Sequence, residues 1–336
     1  MKTVSIFLIA VMLIVGIVSC EGEPEYDLTM TVNPIASGTA TDETGMSPYT
    51  EDTDVDIKAV AADCYRFVSW TAPDGTFGNT TAAETTFTMP ARDVTVTANF
   101  ELVPPDHFKF YDVEWETAPD IGIDVQLVDQ FGAISATVGK AVSFGNPVEK
   151  VHADISIPIG DLNRHYTLYD LLYEGEPQEW QVTVSNQFQD DVELTVFGPY
   201  YLAVPTQKED HEMPVCLNHF LAYDAYGPVV NDEVVLSDQF IQDEVAVVYQ
   251  PYLFANPVQK TVDGEVTEIE DPNEHWVLYD IDGPPVDKRI QIDNQLGPQT
   301  LDLLRPEYLA VPSQKISWEQ SLDHFKVYWA NGIPLF

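Results

Sequence analysis

His107-Phe108-Lys109-Phe110-Tyr111 decides how this chain is read, because the word returns four times. The later copies are His165-Tyr166-Thr167-Leu168-Tyr169, His219-Phe220-Leu221-Ala222-Tyr223, His275-Trp276-Val277-Leu278-Tyr279 and His324-Phe325-Lys326-Val327-Tyr328. The first four are each followed by Asp. A Gln-Phe or Gln-Leu pair comes next, at Gln130-Phe131, Gln187-Phe188, Gln239-Phe240 and Gln295-Leu296. Each half-unit then closes with Pro and, three residues on, Lys: Pro147 to Lys150, Pro205 to Lys208, Pro257 to Lys260, Pro312 to Lys315. Self-similarity on this scale marks a repeat architecture and outranks any single residue.

Taken as a strand, the word puts Phe108 and Phe110 on one face and His107, Lys109 and Tyr111 on the other. The first face is apolar in every copy. The second mixes Lys109, Thr167, Leu221, Val277 and Lys326 between its His and Tyr, so it is expected to be half exposed. Odd and even half-units differ. Asn146-Pro147-Val148 matches Asn256-Pro257-Val258, whereas Tyr201 to Pro205 matches Tyr308 to Pro312. The true period is thus a pair of half-units, giving copy one at 106–208 and copy two at 218–315. The remainder, 316–336, is a partial unit whose strand Phe325 to Trp329 is expected to close the sheet of a preceding unit.

Upstream, Tyr26 to Asn33, Val55 to Val60, Arg66 to Trp70, Thr85 to Met89 and Val94 to Phe100 alternate apolar and polar residues. Gly, Pro, Asn and Asp fall between them, which is the pattern of half-buried strands joined by turns. Residues 26–101 form this unit, and Val103-Pro104-Pro105 is a stiff linker to the repeats. Trp70 is expected to anchor the core. The fold class is all-β: a small β module, then tandem sandwich- or barrel-like repeat domains.

The chain's 336 residues are 45% hydrophobic and 11% aromatic, so it can bury cores. Its formal charge of -40, from 55 acidic and 15 basic residues, excludes nucleic acid as a partner. Lys2 precedes an apolar run from Val4 to Val18, interrupted by Ser5, which is too short for a span and fits a signal-peptide core.

Three resemblances follow. Ile17-Val18-Ser19-Cys20 resembles the lipobox of bacterial lipoproteins, which implies a signal peptide at 1–19, lipidation of Cys20 and a tether at 20–25. Two or more acyl chains make such anchoring stable, so the membrane is one expected partner. Tyr65-Arg66-Phe67-Val68-Ser69-Trp70, with the closing stretch Thr86 to Phe100, resembles the divergent internalin-type B-repeat of exported surface proteins. That family implies a rigid spacer and no activity; Cys64 stands where Gly is common. The tandem repeat resembles a domain of unknown function in exported bacterial and archaeal proteins, whose first strand usually reads His-Phe-x-Cys-Tyr and whose closing word reads Leu-Cys-Asn-Pro or Leu-Cys-Val-Pro. Here Phe110, Leu168, Ala222 and Leu278 hold the first Cys position, and Gly145, Ala203, Ala255 and Ala310 the second. The resemblance implies a disulfide replaced by a packed pair, with Ala222 and Ala255 leaving a small void.

No catalytic centre is expected. There is no nucleophile elbow, paired Cys and His, or phosphate-cradling loop. Repeat-related His residues are one per half-unit and His152 and His211 stand apart, so no metal ligand set is assigned and no cofactor is expected. Calcium has more appeal, through the Asp residues after each Tyr and the acidic run Glu265 to Glu274, yet no calcium-loop motif occurs. Cys64 and Cys216 lie in different segments and are expected as buried free thiols. The expected role is a non-enzymatic lipoprotein of a prokaryotic cell envelope, structural or adhesive, facing outside the cytoplasm. A surface protein or a glycan is its possible ligand. The alternative is a cation- or carbohydrate-binding module using the His/Tyr face.

Overall fold

The computed structural model describes residues 23–45 and 47–320, and every described element is a strand. Cys20 and the closing word after Gln320 lie outside the described residues. The chain divides into two compact units, with the boundary at Leu102/Val103.

The first unit contains β1 (Glu25–Tyr26), β2 (Leu28–Asn33), β3 (Gly38–Asp42), β4 (Tyr49–Thr50), β5 (Asp54–Ala61), β6 (Tyr65–Thr71), β7 (Thr76–Phe77), β8 (Glu84–Thr88) and β9 (Val94–Leu102). A three-stranded sheet, β2-β9-β6, and a four-stranded sheet, β3-β5-β8-β7, enclose Val55, Ile57, Phe87, Met89, Val96 and Ala98. Strand β2 runs parallel to β9; the other pairs are antiparallel. Trp70 is buried, and its indole Nε1 donates to the Ala82 carbonyl at 2.9 Å, as a core anchor does. Cys64 has φ +71°, the left-handed region that favours glycine, which gives the physical reason for Gly at this place in related repeats.

The second unit is built four times over. Quarter one holds β10 (Phe108–Val113), β11 (Ile123–Asp129) and β12 (Gly132–Pro147), followed by β13 (Glu149–His152) and β14 (Ile155–Ile157). Quarter two holds β15 (His165–Leu172), β16 (Gln178–Ser185) and β17 (Val192–Lys208). Quarter three has β18 (His219–Tyr226), β19 (Asp232–Ser237), β20 (Glu244–Val262) and β21 (Glu265–Thr267); quarter four has β22 (His275–Ile281), β23 (Lys288–Asp293) and β24 (Gln299–Gln320). In each, the His-word strand is followed by a hairpin whose long second strand continues past it to lie beside the His-word strand.

These paired strands close a ring. Antiparallel ladders run β10-β12-β15-β17-β18-β20-β22-β24, and β24 pairs back onto β10. The result is an eight-stranded barrel shared by all four half-units, so 106–208 and 218–315 are halves of one domain rather than two domains. Closure is made by the first strand, β10, through Phe108↔Ala310 and Phe110↔Tyr308.

The barrel interior is a plug. Phe108, Phe110, Tyr166, Leu168, Phe220 and Trp276 fill it with the small Ala203, Ala222, Ala255 and Ala310, the side-chain-filled interior expected of an eight-stranded barrel. The positions matched to lost cysteines are direct cross-strand neighbours in all four quarters: Phe110↔Gly145, Leu168↔Ala203, Ala222↔Ala255 and Leu278↔Ala310. Gly145 is required, because a Cβ there would sit 2.8 Å from Phe110 Cζ. Ala222 and Ala255 are both buried, in the same plug as Phe220 and Trp276, which stack at 3.9 Å.

Outside the barrel lie four hairpins, β11/β12, β16/β17, β19/β20 and β23/β24, whose inner faces supply Val125, Leu127, Trp180, Val182, Val234, Leu236, Ile290 and Ile292 to a second core. They cover the His/Tyr face. His165, Tyr111, Tyr169, Tyr223 and Tyr279 are fully or almost fully buried. The expectation of a half-exposed face fails because a second layer of strands lies over it.

Candidate functional site

The repeated words are consumed in holding this double layer together. Each hairpin tip carries Asp or Asn, then Gln, then Phe or Leu. The acid or amide folds the tip by accepting the amide N–H two residues on, as Asp129 does from Phe131 (2.8 Å), Asn186 from Phe188 (3.0 Å), Asp238 from Phe240 (3.0 Å) and Asn294 from Leu296 (2.9 Å). It then reaches the word tyrosine of the diagonally opposite quarter. Tyr111 Oη donates to Asp238 Oδ2 (2.7 Å) and Tyr223 Oη to Asp129 Oδ2 (2.8 Å); Asn294 and Asn186 donate to the hydroxyls of Tyr169 and Tyr279, both at 2.9 Å.

The closing lysines bind neighbouring quarters instead. Lys150 lies over the Phe188 ring, Lys208 over Phe240 and Lys315 over Phe131, at 5.0–5.1 Å, while Lys260 donates to Gln295. Burial pushes the Lys150 amine down to about 7, and Lys260 and Lys315 to about 8. The histidines are buried beside them and held neutral: His107 and His275 fall to about 3 and His165 to about 2, through burial first and the adjacent lysine second. His211, expected to be isolated, meets His165 at 3.1 Å, and His152 Nε2 lies 3.4 Å from Asp232. Among the described residues no three His, Cys, Asp or Glu side chains converge as metal ligands.

At the His end the barrel is sealed by Arg164 on Asp106 (3.2 Å) and Asn218 on Glu274 (2.7 Å). The opposite end is different. Strand alternation carries Asp112, Asp170, Asp224 and Asp280 onto the same face as the plug, so these acids ring its mouth half-buried. Glu307, Tyr201, Tyr252 and Tyr308 join them; Tyr252 and Tyr308 stack at 5.0 Å, and Tyr308 donates to Glu307 at 2.7 Å. A cavity of about 390 Å³ opens beside them, lined by Asp112, Tyr249, Gln250, Asp280, Arg305 and Glu307 among others. Desolvation holds all four aspartates above the usual carboxylate range and lifts Glu307 to about 7, helped by Asp112 and Asp280. The mouth offers carboxyls, phenols and one guanidinium to a polar ligand. Sequence reasoning noted the aspartates but had no means of closing them into a ring.

Cys64 and Cys216 also depart from expectation. Both are disulfide-bonded and half-buried rather than free and buried.

Residues 28–104 match the family pattern described as the divergent InlB B-repeat domain. The first unit is a divergent InlB B-repeat domain. Residues 173–301 match a repeat of unknown function (DUF7450). That match begins inside quarter two and ends inside quarter four, a frame that a closed ring of four like quarters permits at any starting point. No curated protein and no solved structure matches the chain. A B-repeat domain followed by repeats of this kind suggests a surface or structural protein.

Proposed function

We propose that the protein is a non-enzymatic lipoprotein of the cell envelope, anchored through Cys20, in which the B-repeat domain carries the double-layered barrel outward as a structural or adhesive head. One observation supports this above the others: the His and Tyr of the repeated words are buried in the scaffold and their Lys packs against neighbouring quarters, so these residues are spent on barrel assembly. A short apolar leader ending at Ser19-Cys20 and a polar tether supply the attachment. The acidic surface suits a soluble, exposed head. The test is metabolic labelling with palmitate in an expressing bacterium, followed by protease treatment of intact cells. Label on the wild type and none on Cys20→Ser, with the barrel released by protease, supports the reading. An unlabelled wild type would sink the anchor.

The cation- or carbohydrate-binding alternative moves from the buried His/Tyr face to the barrel mouth, where Tyr249 and Tyr252 are exposed beside carboxyls. Glycan-array binding lost in Tyr252→Ala would favour it.

A further inference from the structure

Lys109 breaks the fourfold pattern. Its place on the outward face of the His-word strand is held elsewhere by Thr167, Leu221 and Val277. The side chain is wholly buried, with Nζ 2.7 Å from Glu244 Oε2 and 3.5 Å from Asp238 Oδ1. Glu244 breaks the pattern too. It pairs with Leu236 across its hairpin, where the other quarters place Ile134 opposite Leu127, Val192 opposite Val184 and Gln299 opposite Ile292. An amine and a carboxyl have thus replaced uncharged residues together, in one spot. Buried ion pairs are commonly no more stabilising than apolar residues of the same shape, so stability alone does not account for the exchange.

The third group is already polarised. Asp238 Oδ1 accepts the backbone N–H groups of Phe240 (3.0 Å) and Ile241 (2.9 Å), while Oδ2 accepts Tyr111 Oη (2.7 Å) and Asn146 Nδ2 (3.4 Å). The rings of Tyr111 and Phe240, packed edge to face, flank the site, the Tyr111 ring lying 5.3 Å from the amine. Glu244 Oε1 is buried and has no hydrogen-bond partner. Amine, carboxyl and proton acceptor stand together out of water, in the side-by-side placement from which positioned groups react.

We propose that Lys109 and Asp238 form an intramolecular isopeptide bond, with Glu244 carrying the protons. The Lys109 ammonium gives a proton to Glu244, and the freed Nζ attacks Cγ of Asp238. Charge developing on Oδ1 is held by the two backbone N–H groups, as in an oxyanion hole. The C–Oδ2 bond breaks as Oδ2 takes two protons through Glu244, both originally on the ammonium, and departs as water. One proton stays on the amide nitrogen, and Glu244 returns to its carboxylate. No oxidant, reductant or cofactor is required, and one positive and one negative charge vanish from the core. In the diagonal quarter Leu221 holds the place of Lys109, and among the described residues no lysine forms an ion pair with Asp129, the counterpart of Asp238.

The bond is read by mass. The full-length chain, reduced and denatured, is compared with Lys109→Arg and Glu244→Gln chains prepared identically, and all three are mapped by proteolysis. The proposal expects the wild type to be lighter than its sequence by one water and to yield a branched peptide joining Lys109 to Asp238, with both variants at full mass. A wild type at full mass after prolonged incubation overturns it, without reliance on either variant folding. A folded Glu244→Gln chain that still loses water overturns the assigned proton path.

Discussion

Lys150→Met isolates what it costs this barrel to bury a lysine. The Lys150 side chain is fully buried, its Nζ has no hydrogen-bond partner, and its nearest compensation is the Phe188 ring at 5.0 Å. Burial lowers the amine from 10.5 to about 7. The folded state therefore holds fewer protons than the unfolded state between those two values, and stability rises with pH across that window. Below pH 7 both states are charged and the penalty is fully present, about 5 kcal/mol at ~1.4 kcal/mol per pH unit. Methionine keeps most of the volume and removes the charge. The variant should gain roughly 3–5 kcal/mol at pH 6 but only about 1–2 kcal/mol at pH 9.5, where the wild-type amine enters the fold neutral. For a unit of this size the gain at pH 6 is about 10 °C in melting temperature. Urea titrations at both pH values measure the difference, with the other lysines common to both proteins. A gain that does not change with pH would show packing to be the cause, and a loss at both would refute desolvation of the amine.

Gly145→Ala should destabilise the barrel by about 1–3 kcal/mol, since its Cβ meets the Phe110 ring, and adding Phe110→Leu should recover most of it by copying the Leu168–Ala203 pair. Ala222→Cys with Ala255→Cys should cross-link under oxidation, detected by thiol counting, and raise stability by about 3 kcal/mol; uncrosslinked thiols would refute the register. Tyr223→Phe removes a donor from the buried Asp129 and should cost about 1–3 kcal/mol in chemical denaturation, more than Tyr279→Phe, which loses a neutral bond worth about 1 kcal/mol.

Much of this architecture is legible in the residues. Period-two alternation marks the strands of the B-repeat domain, and the His words mark every second strand of the barrel. The resemblance that implies paired cysteines at the places of Phe110/Gly145 and its three counterparts even anticipates the register. What stays hidden is long-range. The hairpin strands alternate as clearly, for instance Trp180-Gln181-Val182-Thr183-Val184, but nothing local says that their apolar face lies on the outside of another sheet. Without that layer the His/Tyr face reads as half exposed. Ring closure is equally silent, because β10 and β24 lie at opposite ends of the unit. At the mouth, four aspartates spread along the chain become one rim only once the ring shuts. The pairing of Lys109 with Glu244 could have been noticed as two charges at positions that are uncharged elsewhere, though only after the quarters were aligned in three dimensions.

The diagonal exchange explains why the period is a pair of half-units rather than one. Quarters one and three trade Asp for Tyr hydroxyls, while two and four trade Asn, so like must sit opposite like. Such a molecule is formally a fused twofold dimer. Copy one produced by itself, residues 106–208, would present two open strand edges and tips seeking a partner of its own kind, and a second identical chain could supply both. Covalent continuity between the copies then acts chiefly by raising the local concentration of one half around the other.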